Sequence, residues 1–413
     1  MKKAAIISIG NEIITGQIVD TNAAYLSSRL FAAGIPTAKI FQVPDDIDEI
    51  ASTITQAAQV ASIIIVTGGL GPTADDLTRQ GLAKYLDVEL ELKPELLTEI
   101  SEMFTGRAIP MPEMNKIQAC IPTGCEPIHN PVGTAPGIWY SDAYKTIAVF
   151  PGVPSEMKTM FEGDTFPRIT AMTSGQVIEF RKLKCFGMGE SHIAEKLGSI
   201  LDRGRNPLVN ITVHYGVISL HIIASAQTAE AAKEMAQKEE DAIRRILGKM
   251  VFGIGEQTIA EVVGQLLVSS GKTLALAESC TGGLVAKLVT DIPGSSRYFT
   301  YGWVTYANQA KITQIGVSPA TIERFGAVSE QTAAEMAVGA RAASGADFAI
   351  SVTGIAGPQG SSQQKPQGLV YISIASKDGV STEKFIFPHT RDFMRLRTAQ
   401  TALNLLRLKL LTE

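Results

Sequence analysis

At 413 residues the chain is too long for a single hydrophobic core, so roughly two to four domains are expected. Hydrophobic residues make up 45% and charged residues 19%, a globular balance that excludes a disordered chain. The net charge of −4 argues against a general nucleic-acid binder, although the part from Gly253 onward is slightly basic and suits an anionic small ligand.

No segment approaches the ~18 uninterrupted apolar residues of a membrane span. Met1-Lys2-Lys3 runs directly into an apolar strand without the cleavage site of a secretory signal, so a cytoplasmic, reduced protein with no membrane partner is expected. Cys120, Cys125, Cys185 and Cys280 have no zinc-ligand spacing, and the histidines form no H-E-x-x-H pattern, which argues against a zinc hydrolase.

Residues 1–169 read as α/β. An apolar run over 4–9 is followed by Asp20-Thr21-Asn22, which can cap a helix over 23–33. A strand over 37–43, a helix over 47–58 and a buried parallel strand over 62–66 come next. That strand ends in Thr67-Gly68-Gly69-Leu70-Gly71-Pro72-Thr73, with Asp75-Asp76 before a helix over 77–86. The alternation predicts a doubly wound sheet with ligands at the carboxyl ends of its strands.

Residues 170–252 change character. Strand 177–185, helix 190–200, a hairpin of 208–215 and 217–226 turning at Gly216, helix 229–247 and strand 250–252 give a β-α-β-β-α-β order. This is a KH-like or ferredoxin-like α+β module without a catalytic cluster. Phe186-Gly187-Met188-Gly189-Glu190 reads as a helix start, and His214 and His221 as ordinary sheet residues.

The third domain, 253–413, opens with a helix over 258–269 and a strand over 273–277. Strand 298–306, helices across 307–344, strands 347–352, 368–376 and 384–387, and a last helix over 391–411 complete it. Gln359–Gln367 is a low-complexity patch, expected to be a mobile loop.

Three polar turns follow three strands of this domain: Glu278-Ser279-Cys280-Thr281-Gly282-Gly283, Tyr306-Ala307-Asn308-Gln309-Ala310-Lys311, and Thr353-Gly354-Ile355-Ala356-Gly357. If the strands are adjacent, the turns converge on one pocket. Ser279 is then the candidate nucleophile and Lys311 its base, provided that desolvation lets the lysine lose its proton near neutral pH. Tyr306 is expected to relay a proton or hold the substrate, and Thr353 to position the pair. Gly282 and Gly283 are expected to donate N–H groups to an oxyanion or phosphate. Glu278, Thr281, Asn308 and Gly354 are expected to line the substrate site, and Arg391 to meet a phosphate. Cys280 competes with Ser279 for the nucleophile's role, being intrinsically more reactive. In the first domain Thr67, Gly68, Gly69, Gly71 and Thr73 read as a phosphate cradle beside a carboxylate pair, Asp75 and Asp76, suited to a divalent metal. Glu12 lies in a second polar turn expected to face the same crevice. The alternative for Asp75 and Asp76 is simple helix capping.

With these motifs in order, the sequence resembles the CinA family over essentially its full length. Ser8-Ile9-Gly10-Asn11-Glu12, Thr67–Asp76, Asn115-Lys116, the Asn130 to Gly137 run containing Gly133, and 150–157 are similar to molybdopterin-binding folds of the three-layer MoaB/MogA type. The resemblance implies an ADP-ribose pyrophosphatase there, dependent on a divalent metal such as Mg2+ and on K+, giving AMP and ribose 5-phosphate. The middle module resembles the family's KH-like insert. The C-terminal block, with 277–283, 302–311, Gly326-Ala327-Val328-Ser329 and 353–358, is similar to amidases that deamidate nicotinamide mononucleotide (NMN) to nicotinate mononucleotide and ammonia without a cofactor. The family also implies a homodimer. A non-catalytic nucleotide- or pterin-binding protein linked to competence or DNA repair is the competing expectation. Against it stand the charge and the lack of a basic–aromatic run in the middle module.

Overall fold

The computed structural model describes residues 2–106, 108–172, 177–358, 360–387 and 389–412. Contacts divide the chain into two compact units, residues 1–179 with 225–233 and residues 180–224 with 234–413.

The first unit is built on an apolar strand, Ala4–Ile9 (β1), buried along its whole length. Thr37–Val43 (β2) and Ile63–Thr67 (β3) pair with it in parallel on either side. Leu90–Leu92 (β4) and Cys120–Pro122 (β5) form a small ladder of their own. Glu126–Ile128 (β6), Gly137–Ser141 (β7) and Thr146–Phe150 (β8) complete a six-stranded sheet in the order β2-β1-β3-β8-β7-β6.

Alternation along β1 supplies both faces. Ala5 and Ile7 pack with Ile50, Ile54 and Ala57 of the helix Ile47–Val60. Ala4 and Ile6 pack with Leu26 and Leu30 of the helix Thr21–Ala32. Asp20 caps that second helix through Ala23 N–H at 2.9 Å, as its sequence predicts.

The sheet is mixed rather than wholly parallel. β8 runs parallel to β3, but β7 and β6 return antiparallel. The cause is local: Asp142 Oδ1 accepts the amides of Tyr144 and Lys145, closing a tight hairpin where a parallel connection would need a crossover helix.

Val177–Cys185 (β9), Leu208–His214 (β10), Val217–Ala226 (β11) and Val251–Ile254 (β12) form the sheet β10-β11-β9-β12. With the helices Glu190–Leu197 and Ala229–Leu247 this gives the expected ferredoxin-like order. The beginning of that module expected at 170 includes residues 173–176, which lie outside the described residues.

The C-terminal sheet holds Leu274–Glu278 (β13), Phe299–Val304 (β14), Phe348–Gly354 (β15), Leu369–Ser376 (β16) and Gly379–Ile386 (β17), in the order β14-β13-β15-β16-β17. β17 begins earlier than the expected 384 because it is an exposed edge strand whose first half carries no apolar run. Phe186 and Phe252, from the middle module, join the core of this last domain. The helix Arg391–Leu410 fastens the two together: Arg397 lies 4.1 Å over the Phe186 ring and donates to Gly216 O, and Arg407 donates to Lys249 O. Of the expected loop Gln359–Gln367, Gln359 lies outside the described residues, and Lys365 tethers the remainder to the carbonyls of Phe325 and Val328.

Candidate active site

β13 is the middle of three parallel strands, flanked by β14 and β15, so the turns that follow all three leave from one end of the sheet. Backbone bonds join them there. Thr305 N–H donates to Glu278 O at 2.8 Å, and Ser279 N–H donates to Val352 O at 2.9 Å. The expected convergence of the three turns is therefore present.

Lys311 sits on the first turns of the helix Asn308–Ile315 and is only 1% exposed. Its Nζ lies 3.1 Å from Ser279 Oγ, 2.8 Å from Thr305 O and 3.2 Å from Tyr306 O. Among the described residues no carboxylate pairs with it. Burial therefore holds the Lys311 amine below the ordinary lysine range, opposed in part by the neighbouring Cys280 thiol. A neutral amine has two N–H donors and one lone pair. Two carbonyls can take the donors, which leaves the lone pair for the Ser279 hydroxyl proton.

Cys280 points elsewhere. Its side chain belongs to the hydrophobic core with Val285, Val352 and Val370, and burial pushes the thiol up to about 12. A thiol so placed is a poor thiolate at neutral pH.

Glu278 is 1% exposed, and its carboxylate accepts the amides of Gly283, Val285 and Ala286, capping the helix Leu284–Thr290. This corrects the expected oxyanion donors. Gly283 N–H is taken by Glu278 and Gly282 N–H by Ser279 O. The amide of Thr281 has no acceptor among the described residues, and that of Cys280 reaches only its own thiol. Gly282 and Gly283, with φ of 58° and 92°, shape the turn instead.

The remaining predicted residues separate into those that face the site and those that brace it. Tyr306 is 62% exposed; its carbonyl takes the Lys311 amine, but its phenol oxygen accepts from Arg391 Nη2 at 3.2 Å and is bonded to neither Ser279 nor Lys311. Arg391 also donates to Gly357 O, joining the second turn to the third. Thr353 does not position the Ser–Lys pair through its hydroxyl, which is donated to Ala327 O at 2.7 Å and holds the Gly326–Ser329 segment. Gly354 packs close to Cys280, and Asn308 lies exposed at the helix start. Sequence reading missed Arg395, which donates to Thr281 O at 2.7 Å; its spacing from Arg391, one helical turn, is the signal that could have found it.

In the first unit the glycine turn is tightly built. A Cβ on Gly68 would meet Ile9 O at 2.1 Å, and one on Gly69 would meet Thr78 Oγ1 at 2.2 Å. Thr67 Oγ1 is engaged with Asn22 and Pro151 O. Asp76 accepts Gly71 N–H, Thr73 N–H and the Thr73 hydroxyl, so Gly71 and Thr73 face the carboxylate of their own loop. This is a correction to both roles expected of that turn. Asp76 braces it and does not cap the following helix, whose N-terminus has no side-chain cap. The amides of Gly69 and Leu70 have no acceptor among the described residues. Arg79, fully buried beneath, donates to Leu70 O and Gly71 O, and burial lowers its pKa to about 10. Gly133 N–H donates to Asn130 Oδ1, and Asn130 in turn donates to Glu156.

Asp45 is raised above the usual carboxylate range by burial, and the charges of Glu12, Asp75 and Asp76 add to this. Those four carboxylates therefore share one end of the sheet. Among the described residues no three His, Cys, Asp or Glu side chains meet as a metal cage. The donor chemistry fits a hard cation only in the mode where substrate phosphates complete the shell, with Asp75, which is exposed, as the available ligand.

Comparison with known proteins matches three stretches of the chain. Residues 5–171 match the family described as "Probable molybdopterin binding domain", 180–253 the damage-inducible protein CinA KH domain, and 256–410 the CinA C-terminal domain. A CinA-like protein of Trichormus variabilis is 42% identical over 99% of this chain and 100% of its own. A CinA-like protein of Microcystis aeruginosa is likewise 42% identical, over 99% of each chain. Among solved structures, the competence/damage inducible protein CihA of Agrobacterium tumefaciens is 44% identical, covering 37% of this chain and 93% of that one, with a TM-score of 0.36. Among the described residues no helix is long and apolar enough to cross a membrane.

Proposed function

The chain belongs to the CinA family, and from that premise we propose that its C-terminal domain is an amidase acting on the carboxamide of NMN. The observation that carries the reading is Lys311: a buried amine with no carboxylate partner among the described residues, 3.1 Å from Ser279 Oγ, with two carbonyls to take its N–H groups.

Ser279 Oγ attacks the carboxamide carbon as its proton passes to Lys311 Nζ. The carbonyl π electrons move onto oxygen, giving the tetrahedral intermediate. Collapse of this intermediate breaks the C–N bond, and Lys311 returns the proton to the leaving nitrogen, which departs as ammonia. Water, deprotonated by the same amine, then cleaves the Ser279 ester to give nicotinate mononucleotide. Serine and lysine supply nucleophile and base, so this sequence requires no cofactor. Arg391, which joins the second and third turns, is the cation assigned to the nucleotide phosphate.

The N-terminal domain is assigned, on the family resemblance, to hydrolysis of ADP-ribose to AMP and ribose 5-phosphate. Its support is the pair of free amides at Gly69 and Leu70 beside the carboxylates of Glu12, Asp45 and Asp75. A divalent cation held by Asp75 and the substrate would neutralise the pyrophosphate charge, and K+ belongs to the same assignment. NMN and ADP-ribose are then the partners, in a cytoplasmic homodimer that recycles pyridine nucleotides.

The test is ammonia release from NMN by the full chain. Wild type should release one ammonia per nicotinate mononucleotide formed, and Ser279→Ala should not. Absence of ammonia from the wild type, or an active alanine variant, overturns the amidase assignment.

A further inference from the structure

Between the middle module and the C-terminal domain lies a cavity of about 480 Å3 that none of the chemistry above uses. We propose that it is an effector site for an uncharged, planar heteroaromatic of nucleobase or nucleoside size, and that its occupancy is transmitted to the Ser279 turn. The second part rests on the amidase reading of that turn; the first does not.

Three features define the ligand. Its volume falls in the ~300–1,000 Å3 range of small-molecule sites. The walls are apolar and partly aromatic, with Val217 and Phe252 from the middle module against Ile259, Leu288, Leu396 and Leu403 from the C-terminal domain. Gln400 lines them, and its Oε1 is buried without a hydrogen-bond partner among the described residues. A turn of its amide toward the cavity would let a ligand with an N–H donor satisfy it. Lys184, Glu256 and Asp291 at the edge are already paired, Glu256 with both Lys182 and Lys184 and Asp291 with Lys287, which disfavours recruiting them to a phosphate.

Tyr215 supports the same conclusion. It lines the cavity at the tip of the β10–β11 hairpin with φ of 47°, beside Gly216 at 78°. Two successive positive φ values define a turn that favours asparagine or glycine, so a tyrosine there keeps an aromatic ring beside the cavity against local preference.

Coupling follows from two helices that have one part at each site. The helix Leu284–Thr290 begins at Gly283 in the capped catalytic turn, and its Leu288 lines the cavity. The helix Arg391–Leu410 holds Thr281 O through Arg395, and one residue later Leu396, then Gln400 and Leu403, face the cavity. A ligand between these helices bears on both elements that fix the Ser279 turn.

Adenosine and adenine serve as uncharged probes, measured by calorimetry on the full chain in EDTA, which stops turnover, with ADP-ribose present in excess to occupy the first unit. The proposal expects saturable binding that NMN does not displace. Gln400→Leu, which keeps the shape and removes the acceptor, should weaken it about tenfold or more. Leu288→Trp, which fills the cavity, should abolish it. Transmission is read by amide hydrogen exchange: adenosine should slow exchange across 279–290 in wild type and not in Gln400→Leu. No binding at about 1 mM probe, binding indifferent to Gln400→Leu, or binding without a change over 279–290 each overturns the proposal. Because neither readout requires turnover, an inactive amidase would refute the proposed function and leave this result readable.

Discussion

Lys311 is the residue on which burial and chemistry act together. Folding takes its amine out of water and offers no carboxylate in return, so the neutral form is favoured and the pKa falls. Between the folded and unfolded pKa values the unfolded chain binds more protons, so this group's contribution to stability rises with pH across that window and is lowest beneath it. The catalytic consequence has the same sign. Below the folded pKa an ammonium cannot accept the Ser279 proton, so kcat/KM for NMN should rise about tenfold per pH unit, then level off below the ordinary lysine value of about 10.4. A rate that is flat through this limb would remove Lys311 as the base. The neighbouring pair of variants divides the nucleophile's role. Ser279→Ala should lose at least about a thousandfold in rate with Tm unchanged. Cys280→Ala should stay within about threefold of wild type while losing roughly 1–2 kcal/mol of stability, because it vacates a core position. Ammonia release and thermal denaturation of both variants check this.

At the scale of elements, the active end of the C-terminal sheet depends on a helix start and a helix crossing. Glu278 holds three amides of the helix Leu284–Thr290, and a glutamine has only one oxygen for them and no charge. Glu278→Gln should therefore cost about 1–3 kcal/mol. It should also lower kcat, because a loosened helix start releases the Gly283 amide and lets the turn carrying Ser279 shift. Gly339, in the helix Glu330–Ser344, packs so closely that an added Cβ would lie 1.7 Å from Ile315 O. Ile315 ends the helix that carries Lys311, so Gly339→Ala should lower Tm and activity together, measurable on one preparation by denaturation and ammonia release. Both features show where sequence reading stops. Strands that carry apolar or β-branched residues along their length announced themselves, whether buried like Ala4–Ile9 or at an edge like Thr37–Val43, and these two, Val177–Cys185 and Val217–Ala226 have the expected bounds. The exposed edge strand β17 and the antiparallel return of β7 did not, since their signals are a turn and a ladder rather than an apolar run. The Ser279–Lys311 pairing was legible because both residues follow strands that lie side by side. Which amides of the turn are already taken was not. Whether Gly283 N–H is free depends on where a carboxylate five positions earlier points, and no spacing rule carries that information.

For the molecule as a whole, the two proposed chemistries make opposite demands. Amide hydrolysis by Ser279 and Lys311 needs a dry, neutral amine, whereas pyrophosphate hydrolysis needs a hard cation between carboxylates and phosphate. The candidate residues also fall in different units: Glu12, Asp45 and Asp75 in the first, Ser279, Tyr306 and Lys311 in the second. If each unit acts through its own residues, the activities should separate completely in the intact chain. Chelation by EDTA should abolish AMP formation from ADP-ribose and leave ammonia release from NMN unchanged, and added Mg2+ should restore the first. Asp75→Ala should reproduce the effect of the chelator without altering Tm, because the side chain is exposed. Ser279→Ala should do the reverse, retaining AMP formation at the wild-type rate. The comparison is informative in both directions. Loss of both activities in Ser279→Ala would mean that the hydrolysis of ADP-ribose depends on the second unit. A chelator-sensitive amidase would mean that Lys311 does not suffice as its base. Only the crossed pattern, each variant silencing one product and sparing the other, fits two independent sites.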